Sequence, residues 1–205
     1  MPSVSQELIE KLSKISAATL HEAIGKQGAL PSAIKPISPT MKLCGRAFTI
    51  DSMPGDNKLL HRAVAQAKAG DVLVAKMSDY YEAGYWGELL SVGAMQRGIV
   101  GLVIDACVRD ADPIESLGFP VFSRGLCIRG TTKFGQGSLN EAITIGDVTI
   151  HAGDIVVGDR DGVVVIAANR AEEALEKAIA REEKEVRTLE QLRAGKTSLE
   201  IYGWD

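Results

Sequence analysis

Apolar positions recur at helical spacing near both ends of the chain. Between residues 5 and 25 they return every three or four positions, which predicts one or two helices that end at Gly25. Residues 170–194 carry Glu and Lys pairs four positions apart, which predicts a long charged helix with Asn169 as its N-cap. Helices are therefore predicted on both sides of a central part.

The central part alternates between short apolar runs and helical segments. From residue 70 to residue 123 the order is strand, helix, strand, short helix, strand, including a Val- and Ile-rich run at residues 99–104 that we expect to be a buried strand. Such alternation favours parallel β-α-β units. From residue 140 to residue 166, Gly-Asp and Asp-Gly turns separate four short β segments, which predicts hairpins or a small meander. Because no linker separates the two halves, we expect one β-rich α/β domain over residues 1–205.

Composition excludes several classes of protein. With 45% hydrophobic and 24% charged residues, a chain of 205 residues can bury a substantial core. A formal net charge of −4 without a run of Lys or Arg argues against a nucleic-acid partner, and no apolar run approaches the ~20 residues that span a bilayer. The N-terminal segment lacks a signal-peptide pattern, and the three scattered cysteines are typical of free thiols. We therefore expect a cytoplasmic protein with no nucleic-acid or membrane partner.

Charged residues follow the strand predicted at residues 99–104. Asp105, Arg109 and Asp110 lie within a short stretch at its end, and buried charges are costly unless they are paired or hold a metal. Ligands of open α/β sheets bind beyond the carboxyl ends of the strands, so Arg109 and Asp110 are candidates for chemistry. The alternative is a buried Arg–Asp pair that only fixes a loop. Residue chemistry alone leaves both possibilities open.

A second candidate lies at the start of the helix predicted for residues 88–97. Gly87 and the residues after it would place unpaired N–H groups at a helix N-terminus, where a carboxylate or phosphate can bind. Every helix has such an end, so this signal is weak by itself. Glu88 and Asp110 together could offer oxygen ligands to Mg²⁺ or Mn²⁺. His61 lies in another predicted helix and is interpreted as a solvated or core-edge histidine.

The sequence has no P-loop, GxSxG or HExxH motif, but an ordered set of five segments resembles one protein family. The segments are GELL at 87–90, GIVGLVIDACVRD at 98–110, FPVF at 119–122, RGTTK at 129–133 and GDIVVGDRDGVVV at 153–165. The family contains the class II 4-hydroxy-4-methyl-2-oxoglutarate / 4-carboxy-4-hydroxy-2-oxoadipate aldolases and the regulator of ribonuclease activity A proteins. The resemblance implies a swivelling β/β/α domain, similar to the phosphohistidine domain of phosphotransferases, with N- and C-terminal helices. It also implies homotrimers or homohexamers with active sites at subunit interfaces.

The aldolases of this family hold pyruvate between the helix turn and the strand end. The resemblance therefore implies that Gly87 and the N–H groups of Leu89 and Leu90 bind the pyruvate carboxylate. Arg109 would bind the pyruvyl oxygens and stabilise the enolate as a catalytic residue. Lys133 is interpreted as a charge at the substrate rim or as a structural charge, and no Schiff base is expected.

The resemblance also implies a metal site shared between two subunits. Asp110 would anchor a divalent cation, Mg²⁺ or Mn²⁺, largely through water ligands. Glu88, also assigned to the catalytic set, would either lie behind these ligands and support them or orient a water. A glutamate from the C-terminal helix of a neighbouring subunit would complete the metal surroundings. Its counterpart in this chain is Glu185, with Glu182 as the second choice.

Two functions of different classes follow from the resemblance. The first is a metal-dependent lyase that cleaves 4-hydroxy-4-methyl-2-oxoglutarate or 4-carboxy-4-hydroxy-2-oxoadipate to pyruvate and a 2-oxo acid, with oxaloacetate decarboxylation as a second activity. The second is a non-catalytic regulator that binds and inhibits a ribonuclease. The acid-rich C-terminal helix favours the aldolase, because the regulators characteristically lack the glutamate there. One departure from the family pattern is Glu22, where an aspartate commonly precedes the alanine.

Overall fold

Seven α-helices, twelve β-strands and a short 3₁₀ helix (Ala168–Arg170) make up the regular structure of residues 4–204, the part of the chain that the computed structural model describes. The helices are α1 (Gln6–Leu12), α2 (Ala17–Ala23), α3 (Lys58–Gln66), α4 (Glu88–Gln96), α5 (Ala111–Leu117), α6 (Ala171–Arg193) and α7 (Ser198–Tyr202). The strands are β1 (Lys35–Pro36), β2 (Leu43–Ser52), β3 (Asp71–Lys76), β4 (Gly101–Ile104), β5 (Cys107–Val108), β6 (Val121–Ser123), β7 (Gly125–Leu126), β8 (Gly137–Leu139), β9 (Ile143–Ile145), β10 (Val148–Ile150), β11 (Ile155–Asp159) and β12 (Gly162–Ile166).

Eight of these strands form one mixed sheet. Its order is β1-β6-β4-β3-β2-β11-β12, and β8 pairs with β2 beside this path. The neighbours β2, β3, β4 and β6 run parallel, and α3, α4 and α5 lie in the connections between them. The β-α-β units predicted between residues 70 and 123 are therefore confirmed. The predicted hairpins are confirmed as well, as the antiparallel pairs β9–β10 and β11–β12.

The sheet curls until its two edges nearly meet. The Leu30 N–H, in the segment before β1, donates to the Val163 carbonyl of β12 at 2.9 Å. The Lys35 ammonium of β1 donates to the Asp161 carbonyl at the start of β12. The result is a barrel-like sheet with helices around it, which confirms the predicted α/β fold class.

Two apolar clusters cover the sheet. The larger one packs α3, α4 and α5 against the parallel strands and contains the fully buried side chains of Tyr85, Trp86 and Phe122. The smaller one packs α1, α2 and α6 against β11 and β12 through buried residues such as Leu12 and Leu20. The long helix α6 therefore belongs to a different cluster from α3 and α4.

The helices predicted at both ends of the chain are present, but the start of α6 differs from the prediction. Its N-cap is Arg170, and the predicted cap Asn169 lies inside the preceding 3₁₀ turn. This turn is fixed at its start because the buried Asp154 carboxylate accepts a hydrogen bond from the Ala168 N–H at 3.0 Å. A polar residue near a helix start therefore predicted the helix but not its first residue.

Within residues 4–204, none of the helices has the length and apolar character needed to cross a membrane. The three cysteines, Cys44, Cys107 and Cys127, are free thiols, as predicted.

Candidate active site

The most buried ion pair near the end of β4 joins Asp105 to Arg124. The Asp105 side chain is 5% exposed, and its carboxylate accepts a hydrogen bond from Arg124 Nε at 2.6 Å. The Arg124 guanidinium also lies 3.9 Å from the centre of the Tyr81 ring. Arg109 and Asp110 are 49% and 39% exposed, with 3.7 Å between Arg109 Nε and Asp110 Oδ2. Of the two alternatives left open by the sequence, the buried Arg109–Asp110 pair that only fixes a loop is not the one found, because both side chains are accessible and the more buried pair joins Asp105 and Arg124.

Arg109 and Asp110 line a cleft of about 270 Å³ formed by segments that follow the parallel strands β2, β3 and β4. Its walls are the start of α3, the segment that leads into α4, the residues after β5 and the connection from β7 to β8. The lining residues are Asn57, His61, Gly84, Tyr85, Gly87, Leu89, Leu90, Arg109, Asp110, Gly130, Thr131 and Lys133. Small-molecule pockets measure about 300–1,000 Å³, so this cleft suits a small ligand.

Asp110 is held in an uncommon backbone conformation. Its φ of 59° and ψ of 44° lie in the left-handed region, which aspartate and asparagine tolerate better than other non-glycine residues. The Asp110 Oδ2 atom accepts a hydrogen bond from the Glu88 N–H at 3.1 Å. A Cβ atom on Gly87 would overlap this carboxylate, so glycine is required at that position for the close approach. The Asp110 carboxylate is thereby fixed at the N-terminus of α4.

The first turn of α4 presents backbone donors to the cleft. The first helical hydrogen bond runs from the Ser91 N–H to the Gly87 carbonyl at 3.1 Å. Among the described residues, the N–H groups of Leu89 and Leu90 have no hydrogen-bond acceptor. Unpaired N–H groups at a helix N-terminus attract anions, because the helix dipole adds positive charge there. The first turn therefore has two free donors for a carboxylate.

Buried aromatic side chains hold this helix start in place. The Trp86 indole N–H donates to Ser91 Oγ at 2.7 Å, and the Trp86 ring stacks on Phe119 with 5.9 Å between ring centres. The Trp86 carbonyl accepts a hydrogen bond from the Arg109 N–H at 2.9 Å. The backbone of Arg109 is thus tied to the segment that precedes α4.

The opposite wall is organised by Asp56, a buried residue that sequence reasoning missed. Its carboxylate accepts hydrogen bonds from the Lys58 N–H (3.0 Å), the Thr132 hydroxyl (2.9 Å), the Gly135 N–H (3.1 Å) and the Phe134 N–H. Burial alone would raise the pKa of Asp56, but these hydrogen bonds outweigh it and lower the pKa below its usual value. Asp56 therefore fixes the connection from β7 to β8 against the start of α3.

Lys133 lies on this wall. Its ammonium donates to Asn57 Oδ1 and to Thr131 Oγ1, the latter at 3.3 Å. Asn57 is buried, and its amide nitrogen donates to the Tyr85 carbonyl at 2.6 Å. The RGTTK segment was a sequence signal for Lys133 and Thr131, whereas Asn57 is joined to them only by the fold.

His61 also lines the cleft, although the sequence suggested only a solvated or core-edge histidine. Partial burial and the nearby positive charge of Lys133 lower the pKa of His61. A lowered pKa favours the neutral form of its imidazole. A neutral imidazole can donate one hydrogen bond and accept another.

The structure brings together most but not all of the predicted site residues. Gly87, Leu89, Leu90, Arg109 and Asp110 line the cleft, whereas the exposed Glu88 side chain is not among the lining residues.

The two candidate glutamates of α6, Glu185 and Glu182, are not among the residues that line this cleft. Glu185 pairs with Arg181 at 2.9 Å within α6, and Glu182 lines a separate cleft beside α1. Across residues 4–204, no group of three His, Cys, Asp or Glu side chains is placed to hold a metal ion. Among the described residues that line the cleft, Asp110 carries the single carboxylate.

These features define the class as a mixed α/β protein with a small, cation-lined cleft beyond the carboxyl ends of parallel strands. A family model described as "RraA-like: Aldolase/RraA" matches residues 13–165, and the chain belongs to this RraA-like family. The resemblance inferred from the five sequence segments is therefore confirmed.

The relatives include one protein named as an aldolase and one described as a member of a ribonuclease-inhibitor family. A protein of Halalkalibacterium halodurans named "Putative 4-hydroxy-4-methyl-2-oxoglutarate aldolase" is 33% identical over 178 residues, which cover 87% of this chain and 85% of that protein. A crystal structure of an uncharacterized protein from Pseudomonas syringae pv. tomato matches with a TM-score of 0.87 and 30% identity, covering 96% of this chain and 92% of the other. Streptomyces coelicolor RraAS2, described as an unusual member of the RNase ES inhibitor RraA protein family, matches with a TM-score of 0.81 and 26% identity, covering 92% and 98%.

Proposed function

We propose that the chain is a divalent-metal-dependent class II pyruvate aldolase. Its substrates would be 4-hydroxy-4-methyl-2-oxoglutarate or 4-carboxy-4-hydroxy-2-oxoadipate, cleaved to pyruvate and a second 2-oxo acid in the cytoplasm, with oxaloacetate decarboxylation as a side activity. One observation carries the proposal: Arg109, Asp110 and the free N–H groups of α4 line the same small cleft. A 2-oxo acid has a carboxylate and a keto oxygen on adjacent carbons, which this set of donors complements.

The C1 carboxylate of the substrate binds at the first turn of α4. The Glu88 N–H is already used by Asp110, so the N–H groups of Leu89 and Leu90 are the donors that face this carboxylate. Gly87 keeps the approach open because it has no side chain. Arg109 adds a positive charge beside this site, and its fork of N–H groups can bind two oxygens at once.

Bond cleavage moves an electron pair onto the keto oxygen. The C4 hydroxyl loses its proton, the C3–C4 bond breaks, and its electrons form the enolate of pyruvate, which is then protonated at C3. The Arg109 guanidinium stabilises the negative charge that develops on the keto oxygen. Asp110 orients a water that takes the hydroxyl proton. In this proposal Glu88 also contacts that water, which requires its exposed side chain, not among the lining residues here, to turn toward the cleft. Loss of CO₂ from oxaloacetate forms the same enolate.

The donor set fits a water-rich divalent ion. Mg²⁺ binds through one or two carboxylates and keeps several waters, and the half-exposed Asp110 offers the one carboxylate of the cleft. When bound, the ion would supply additional positive charge at the keto oxygen.

The complete site is proposed to form in a homotrimer or homohexamer. Glu185 lies on α6, in the cluster with α1 and α2, so in this proposal it reaches the cleft of another subunit. Exposed apolar side chains beside the cleft, such as Leu89 (83% exposed) and Phe134 (70%), are available for subunit contacts. Mixing Asp110→Asn subunits with Glu185→Gln subunits tests this arrangement. Recovery of activity in the mixture is expected only if each site takes residues from two chains.

The activity itself is tested by pyruvate release from 4-hydroxy-4-methyl-2-oxoglutarate with Mg²⁺ or Mn²⁺, and again with EDTA. We expect metal-dependent turnover in the wild type and a loss of at least about 100-fold in Arg109→Ala. Arg97→Ala removes an exposed arginine at the other end of α4 and serves as the control. Turnover that is absent or insensitive to EDTA contradicts the proposal.

The second candidate function is a non-catalytic regulator that binds a ribonuclease. The structural match to RraAS2 is the observation that favours it. Inhibition of a ribonuclease without pyruvate release would support the regulator, whereas pyruvate release that depends on Arg109 would support the aldolase.

A further inference from the structure

Lys133 is a cation whose hydrogen-bond partners are all neutral. Its ammonium donates to the Asn57 amide oxygen and to the Thr131 hydroxyl. Within residues 4–204, no carboxylate lies within ion-pair distance of it. An ammonium has three N–H donors, so one donor and the full positive charge remain available to a ligand.

This lysine is held in place before any ligand binds. Asn57 is buried and fixed by its hydrogen bond to the Tyr85 carbonyl at 2.6 Å, and Asp56 fixes the segment on both sides of Lys133 through Thr132 and Phe134. A flexible side chain loses conformational entropy when it binds a ligand. Because Lys133 is already held by hydrogen bonds, its loss of entropy on binding is smaller. A charged group that is fixed but uncompensated is a feature of binding sites more than of structural ones.

The cleft has more positive than negative side chains. Arg109 and Lys133 line it from different segments, and Asp110 is its one carboxylate. A ligand with a single carboxylate at the first turn of α4 would leave Lys133 without a counter-ion. His61 lines the same cleft as Lys133, and an imidazole N–H can donate a further hydrogen bond to an anion.

We propose that Lys133, supported by Thr131 and His61, binds the second carboxylate of a dianionic 2-oxo acid, and this inference rests on the proposed function. Lys133 is then a specificity-determining residue that selects dicarboxylates over monocarboxylates of the same length. It acts as a charged hydrogen-bond donor and not as a Schiff-base nucleophile.

The test compares two non-cleavable ligands of equal chain length. 2-Oxoglutarate and 2-oxopentanoate differ only in a terminal carboxylate against a methyl group, and neither has the C4 hydroxyl needed for cleavage. Titration calorimetry on the full chain with Mg²⁺ measures both dissociation constants. The wild type is expected to bind 2-oxoglutarate about 10-fold to 100-fold more tightly, the range of a charge-assisted hydrogen bond.

Lys133→Met is expected to remove this preference and to leave the affinity for 2-oxopentanoate within about 2-fold, whereas Lys133→Arg retains part of it. Lys58→Met is the matched control, because Lys58 lies on α3 outside the cleft lining and its alkyl chain packs near Gly135. If Lys133→Met lowers the affinity for both ligands by the same factor, the inference is overturned and Lys133 is a structural residue. So would a covalent adduct on Lys133 after borohydride reduction with pyruvate.

The outcomes separate this inference from the proposed function. If the wild type binds both ligands equally and Lys133→Met changes neither, the specificity role is wrong while the 2-oxo acid site stands. If the wild type binds neither ligand, both proposals are wrong. If the wild type prefers 2-oxoglutarate but releases no pyruvate from 4-hydroxy-4-methyl-2-oxoglutarate, the dicarboxylate site stands and the aldolase proposal is wrong.

Discussion

Asp110 accepts a hydrogen bond from the backbone N–H of Glu88, which lies 22 positions earlier in the chain, at 3.1 Å. Asp110 directly precedes α5, yet its side chain makes no cap hydrogen bond to that helix and caps α4 instead. The residue proposed to hold the cation is therefore also a structural part of the helix proposed to hold the substrate carboxylate. Only one of its oxygens is used in this way.

This double role predicts different effects for two substitutions of Asp110. Asp110→Asn keeps a side-chain acceptor and a residue type that tolerates the left-handed region, so the free energy of unfolding should change by less than about 1 kcal/mol. Asp110→Ala loses the cap and places alanine in that region, which should cost about 2–3 kcal/mol. Urea unfolding measures both.

Activity should not follow stability in this pair. Both variants lose a carboxylate oxygen ligand, so both should lose metal-dependent pyruvate release even though Asp110→Asn is well folded. Full activity in Asp110→Asn would show that the carboxylate has only the structural role.

The second prediction concerns Gly87, the N-cap of α4, which must lack a side chain for Asp110 to approach. Gly87→Ala would place a Cβ against the Asp110 carboxylate, so the carboxylate or the helix start must move. Loss of 2-oxo acid binding and of activity by at least about 10-fold is expected from such a displacement. Calorimetry with 2-oxoglutarate and the pyruvate assay report it.

Gly93→Ala is the matched control, because Gly93 lies in the interior of α4 and its Cβ would meet Val64 at an ordinary contact distance of 3.6 Å. It should raise stability by about 0.5–1 kcal/mol and leave activity unchanged. Equal loss of activity in the two alanine variants would mean that α4 itself, and not the approach of Gly87 to Asp110, sets the site.

Sequence patterns predict those parts of the site whose residues are local in the chain. Arg109 and Asp110 are adjacent and follow a strand, so the strand pattern marked them as candidates. The role of the first turn of α4 came from the family resemblance, because a helix N-terminus alone is a weak signal. The strand pattern also placed the parallel strands, because each β-α-β unit is a local pattern.

The other wall of the cleft could not be predicted in this way. Lys133 and Asn57 are 76 positions apart, and their hydrogen bond depends on Asp56 holding two distant segments together. The burial of Asp105 was equally invisible, since its charge resembles that of Asp110 and only the approach of Arg124 separates their roles. Long-range pairing is a property of the fold that local chemistry does not show.

The buried pair of Asp105 and Arg124 predicts a large effect on stability. Asp105→Ala leaves the guanidinium, which is 22% exposed, without its carboxylate, and loss of one partner of a buried pair costs about 3–5 kcal/mol. Glu7→Gln removes one partner of the exposed Glu7–Lys11 pair on α1 and should change stability little. Urea unfolding of the three proteins compares them, and a loss below about 1 kcal/mol in Asp105→Ala would contradict the structural role.

The lowered pKa of Asp56 predicts how the free energy of unfolding depends on pH. The pKa of its carboxyl is lowered in the folded state, while an unfolded aspartate titrates near about 3.9. A group with a lowered folded-state pKa stabilises the protein above its unfolded value and loses that contribution as the pH falls through the folded value. The wild type should therefore lose the contribution of Asp56 only below about pH 4.

Asp56→Asn tests this directly, because an amide nitrogen replaces one of the two carboxylate oxygens and cannot accept the N–H bond made to that oxygen, which comes from Phe134 at Oδ2 or from Gly135 at Oδ1. We expect a cost of more than about 3 kcal/mol at pH 7 and a smaller decrease in stability between pH 5 and pH 3 than in the wild type. Thr132→Val removes one bond to the carboxylate and should cost about 1.5–3 kcal/mol, which keeps the test valid if the asparagine variant does not fold. Glu183→Gln removes an exposed carboxylate of α6 and should leave the pH dependence unchanged. Parallel acid curves for the wild type and Asp56→Asn would show that Asp56 does not supply this stability.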